Sequence, residues 1–178
     1  MTKDPASEPL SPEEFNLVAI WLRTDPARWI AGAFAGIFSA GVMWVATLLY
    51  EASSGGDVWF LLKAFAVPAL GGGAMASGFH LHAILVGCVV LGLLAIILGV
   101  VYSHMTGTNR FIPLFGMGLT WGVFSWIFLN NLFSSSWREV YVLQIPKSHA
   151  LFAWLIFGVS LVSVSFFDQL FRLSSSSR

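Results

Sequence analysis

Charge is what this sequence lacks most. Only 10% of its 178 residues are Asp, Glu, Lys or Arg, against about 25% in soluble domains. Nine basic residues balance nine acidic ones, so the net charge is zero. There is no basic excess for a nucleic-acid backbone and no acidic tail. Cysteine is nearly absent: Cys88 stands alone, which excludes an internal disulfide framework and a thiolate metal cluster within one chain. Apolar residues make up 57% of the chain, and mean hydropathy is +0.79. These proportions describe an integral membrane protein whose main partner is the lipid bilayer.

Four stretches lack charge altogether: Trp29–Tyr50, Ala64–Asn109, Phe111–Trp137 and Ser148–Phe167. A bilayer core of about 30 Å needs roughly 20 helical residues, so three of these runs suit one crossing each. The second would be about 69 Å long as a single helix and must break. Pro68 and Gly71–Gly73 supply the break. The expected fold is an all-α integral membrane protein, a bundle of four transmembrane helices. The spans fall at about 28–50, 79–103, 111–132 and 149–171. The stretch from Val58 to Leu70 is too short to cross and suits an interfacial or re-entrant helix, with Lys63 snorkelling to the headgroups. A fifth span over 58–76 is the competing arrangement.

Residues 1–27 carry Asp4, Glu8, Glu13 and Glu14 and no early apolar core, unlike a cleavable signal. Ser11-Pro12-Glu13-Glu14 has the form of a helix start and predicts a short surface helix. Thr24-Asp25-Pro26 repeats that signal and launches the first span. The chain thus divides into an N-terminal arm over 1–27, a membrane domain over 28–172 and a polar tail over 173–178. Six basic residues (Lys3, Arg23, Arg28, Arg110, Arg172 and Arg178) fall on the side of both termini, against Lys63, Arg138 and Lys147 opposite. If the spans lie in a bacterial inner membrane, the positive-inside rule then places both termini in the cytoplasm.

Small residues recur every fourth position, as Gly32, Gly36 and Ala40, Ala83 and Gly87, and Ala95 and Gly99. Such stripes let helices approach closely in lipid. They serve packing within the bundle or contact with a partner subunit. Trp29, Trp59, Trp137, Tyr50 and Tyr141 sit near span ends, as an aromatic belt requires. Trp44, Trp121, Trp126 and Trp154 lie deeper, where packing is the default and a cofactor or lipid groove the alternative.

Polar groups inside a membrane are costly, so they are where functional hypotheses begin. His80 and His82 open the second span and His149 the fourth, in one leaflet, with Asn130 and Asn131 in the same layer. One imidazole from each of two facing helices could ligate a haem iron. A single one could ligate a chlorin or bond a quinone oxygen. The plain alternative is interfacial histidines bonded to backbone, water or headgroups. No Glu-x-x-His pair or carboxylate accompanies them, so a non-haem metal site is not expected. Phosphate-loop and nucleophile-elbow motifs are missing. Asp168 has Arg172 four residues on, the spacing of a helical ion pair.

Ala-Gly-Ala-Phe-Ala-Gly (31–36), Leu-Leu-Lys-Ala-Phe-Ala-Val-Pro (61–68), Gly-Phe-His-Leu-His (78–82) and Ser-His-Ala-Leu-Phe-Ala-Trp (148–154) form a recognisable order. It resembles the small four-span bacterial inner-membrane proteins of the YagU type over roughly residues 28–170. The resemblance implies the same topology and carries no mechanism. The aromatic richness and the polar N-terminal arm depart from that pattern. Three functions stand open: a non-catalytic accessory subunit beside other integral membrane subunits of a respiratory or photosynthetic complex; a haem-, chlorin- or quinone-binding electron-transport subunit using the histidine layer; and a small transporter or channel.

Overall fold

The computed structural model describes residues 25–132 and 147–176, with side chains described over 25–129 and 149–173. The surface helix expected from Ser11, together with Trp137, Arg138 and Tyr141, lies outside these residues, as do the side chains of Asn130 and Asn131. The described chain is all helical: α1 (Pro26–Ser54), α2 (Phe60–Leu70), α3 (Leu81–Met105), α4 (Phe111–Leu132), α5 (Lys147–Ser160) and α6 (Val164–Ser176), with 3-10 turns at Gly72–Met75 and Leu161–Ser163. Four stretches are long and apolar enough to cross a bilayer: Pro26–Ser54, Leu81–Met105, Phe111–Leu129 and His149–Leu173. The protein is therefore a multi-pass membrane protein, with four spans among the described residues.

Local chemistry sets the ends. The Asp25 side chain caps α1 by accepting from the Arg28 amide at 3.3 Å, and Pro26 follows at the first helical position. Gly55 closes the helix in the left-handed region, at φ 74°, where a side chain would be strained. The first span consequently runs four residues past the expected Tyr50. α2 has 11 residues and so extends only about 16 Å. It cannot be a fifth span. The fourth span is interrupted by the 3-10 turn at Leu161–Ser163, a break without a proline to announce it.

Two close contacts hold the spans in pairs. A Cβ on Gly32 would stand 2.6 Å from the Gly99 carbonyl oxygen, and one on Gly36 would stand 2.8 Å from the Ala95 carbonyl carbon. α1 and α3 therefore meet backbone to backbone. α4 meets α5 in the same way: a Cβ on Gly158 would lie 2.9 Å from Gly122 Cα. Such contact supplies the dispersion that stands in for a hydrophobic drive in lipid. α1 also packs along α5 and α6, joining the two pairs. Across the α3–α4 seam the Tyr102 hydroxyl donates to the Leu114 carbonyl at 2.8 Å, and its ring lies 6.3 Å from that of Trp121.

α2 is set into this frame and is not laid upon it. Residues 61–67 are all buried. Its backbone at Leu62 fills the space beside Gly87, where a Cβ would stand 2.6 Å from the Leu62 carbonyl carbon. The stripe of Ala83 and Gly87 thus receives the short helix, while Gly32 and Gly36 receive the second span. Phe65 of α2 reaches Trp154 of α5, with ring centroids 6.3 Å apart.

Lys63 departs from the sequence expectation. It does not snorkel; its side chain is fully buried. The ammonium pairs with the Asp57 carboxylate and donates to the Ala76 carbonyl at 2.7 Å. A helix buried on all sides offers its lysine no route to the headgroups, so the loops before and after α2 bring an anion and a carbonyl to it. Burial works to raise the Asp57 carboxyl. Hydrogen bonds from Lys63 and the Trp59 amide, the Lys63 charge and the Gly78 amide together outweigh it and hold the group below its ordinary value.

Candidate functional site

The histidines do not converge on one point. The His80 side chain is exposed and donates from Nε2 to the Ser77 carbonyl at 3.1 Å, an arrangement that stays within its own loop. His82 is exposed at the start of α3. His80 stands just before that helix, as its N-cap in extended backbone, so the two residues do not share one helical face. His104, at the opposite end of the same helix, accepts from the Trp29 indole at 3.2 Å. His149 is the histidine that enters a cavity. Its Nε2 shares a hydrogen bond of 2.9 Å with the Tyr50 hydroxyl, and the two rings stand 4.4 Å apart.

That cavity is a cleft between the end of α1, the start of α2 and the first turns of α5. Tyr50, Glu51 and His149 form its polar rim, and Ala46, Ala150 and Ala153 its floor. Neither His80 nor His82 borders it. Ala46 of α1 and Ala150 and Ala153 of α5 line it with small side chains. The Glu51 carboxylate folds back against Gly56, where any Cβ would collide with it. The cleft encloses about 50 Å³, well below the roughly 300–1,000 Å³ of pockets that envelop a small molecule. It has room for the end of an amphiphile and not for a macrocycle.

A second polar cluster occupies the opposite end of the bundle. Arg28 is buried and donates from Nε to the Ser103 carbonyl at 2.9 Å. From its terminal nitrogens it donates to Asn109 Oδ1 at 2.9 Å, the Thr108 carbonyl at 3.0 Å, Asp168 at 3.4 Å and the Thr106 carbonyl. Asn109 donates to the same Asp168 oxygen at 3.1 Å, and Arg172 donates to the other at 3.0 Å. Arg172 also pairs with Asp25, the cap of α1. The helical pair expected from spacing is present, but it is the outer part of a larger network. That network ties the first span, the loop after the second and the last span together. Each guanidinium hydrogen has an acceptor, the condition under which a buried charge is tolerated. Sequence reading missed Arg28 because it stands just outside the first charge-free run and looks like a flanking anchor.

Two of the deep tryptophans pack against other aromatic rings. Trp154 is buried between Phe65 and Phe157, whose centroids lie 6.3 and 5.4 Å away. Trp44 stacks on Trp59 at 6.4 Å. No group of three or more His, Cys, Asp or Glu suited to a metal ion occurs among the described residues. Comparison with protein-family models, with curated proteins and with solved structures finds no match.

Proposed function

We propose that this protein is a non-catalytic accessory subunit of a larger integral membrane assembly. One observation carries the reading: the described ionic side chains of the membrane domain are largely engaged with one another, while two stacked phenylalanine pairs on α4 are left exposed. Arg28, Asp168, Arg172 and Asp25 satisfy each other at one end, and Lys63 with Asp57 at the other. On α4, Phe111 stacks on Phe115 at 6.0 Å and Phe124 on Phe128 at 5.7 Å, and all four are exposed. α4 packs chiefly on α5, so its outer face is free to receive another helix. Aromatic side chains suit such a contact because they present large area with few rotatable bonds.

The YagU-type resemblance supports a bacterial inner membrane and this topology, and in such a membrane the charge asymmetry supports cytoplasmic termini. Purification from the native membrane in mild detergent, followed by mass spectrometry of what accompanies the chain, tests the reading. Co-purifying integral membrane subunits that are lost in a Phe124→Ala/Phe128→Ala variant are expected. A chain that purifies alone and monodisperse overturns it. The electron-transport alternative would show as a visible absorption band that vanishes in His149→Ala or His82→Ala.

A further inference from the structure

We infer that the cleft bordered by Tyr50, Glu51 and His149 binds a membrane phospholipid with an ammonium headgroup, using Glu51 as the counter-ion. The inference rests on the fold alone and not on the accessory-subunit reading.

The cleft has the form of the top of one leaflet. Its polar rim lies in the last turns of α1 and the first turn of α5, at the ends of two spans. Its apolar part continues through Ala150 and Ala153 to Ile156. From His149 to Ile156 is about 10 Å along the helix. A headgroup seated at the rim would therefore lay the first part of an acyl chain along this floor. The alanines admit it, because a larger side chain at either position would fill the furrow.

The rim's chemistry chooses the headgroup. Tyr50 and His149 are bonded to each other, which leaves Glu51 as the charged group of the cleft. Its carboxylate lies beside Gly56 and forms no ion pair among the described residues. A carboxylate at a membrane surface repels a purely anionic headgroup and attracts an ammonium, the more so where the local dielectric is low. A divalent cation is poorly served, since Glu51 and His149 supply only two ligating side chains where calcium takes about six to eight oxygens.

The test uses the full-length protein in detergent, exchanged into mixed micelles of phosphatidylethanolamine and phosphatidylglycerol with matched acyl chains. Bound lipid is then read by native mass spectrometry. The wild type is expected to retain one phosphatidylethanolamine at least about tenfold over phosphatidylglycerol. Glu51→Gln should remove that preference while leaving the melting temperature unchanged. Ala153→Leu should abolish retention of both lipids by filling the floor. Equal retention of the two lipids by the wild type overturns the inference without reference to any variant. So does a preference that survives Glu51→Gln, or retention unaffected by Ala153→Leu.

Discussion

Arg28 and Asp168 stand 140 residues apart in the chain and meet at 3.4 Å, with the carboxylate side chain only 1% exposed. Removing one partner of such a pair strands the other in a low-dielectric site. Asp168→Ala is expected to cost about 3–5 kcal/mol. Arg172→Gln, at a side chain that is half exposed, should cost no more than about 1 kcal/mol. Reversible unfolding in mixed micelles would check the contrast. Similar losses for the two variants would show that the network is no stronger at its buried centre than at its rim.

The Lys63–Asp57 pair gives a dependence on acid. Asp57 titrates below its ordinary value of 3.8 when folded. The stability it contributes is therefore complete above that value and is lost as pH falls through the lower, folded one. Melting temperature followed from neutral pH to below about pH 4 should fall more steeply in the wild type than in Asp57→Asn. The variant should be destabilised at neutral pH, because Lys63 remains buried without its carboxylate.

Glycine substitutions should sort by what lies opposite. Gly36→Leu and Gly158→Leu force apart backbones in contact and should cost at least about 1–3 kcal/mol. Gly87→Val should displace α2 specifically, because its side chain would enter the Leu62 peptide. Gly41→Leu and Gly92→Leu face open space and should be tolerated. Thermal stability of these purified variants decides the matter.

Cys88 is the chain's single thiol and is exposed on the outer face of α3. It lies about 10 Å into the span by helical rise. In sealed vesicles it should resist charged, membrane-impermeant maleimides from either side and react readily once the protein is denatured. Rapid labelling of the folded protein from the aqueous phase would place this turn of α3 against water.

The spans were legible because charge is excluded from lipid, and a helical run of about 20 residues without it matches the thickness of the bilayer core. The close approach of Gly32 and Gly36 was legible for a related reason, since small residues four apart form a stripe whatever they face. What they face was not legible: Ala83 and Gly87 carry the same signal but receive α2 and not another span. Gly118 and Gly122 have that spacing too, and their contact with Gly158 could have been proposed from it. Lys63 and Arg28 show where pattern reading stops. A basic residue near a span end looks like an anchor until the fold shows which anion has been carried to it. Asn130 and Asn131, expected in the histidine layer, lie beyond the described side chains, and His149 found a tyrosine instead of a second histidine.

The Arg28 network also bears on how the chain is built. Arg28 emerges from the ribosome in the opening turn of the first span, and its carboxylate partner is synthesised 140 residues later. Until then the guanidinium has no anion across the bundle, and a charge in hydrocarbon is costly. The second span and the loop after it bring neutral acceptors to Arg28, and the last span brings its anion, so this corner of the bundle closes only once all three are present.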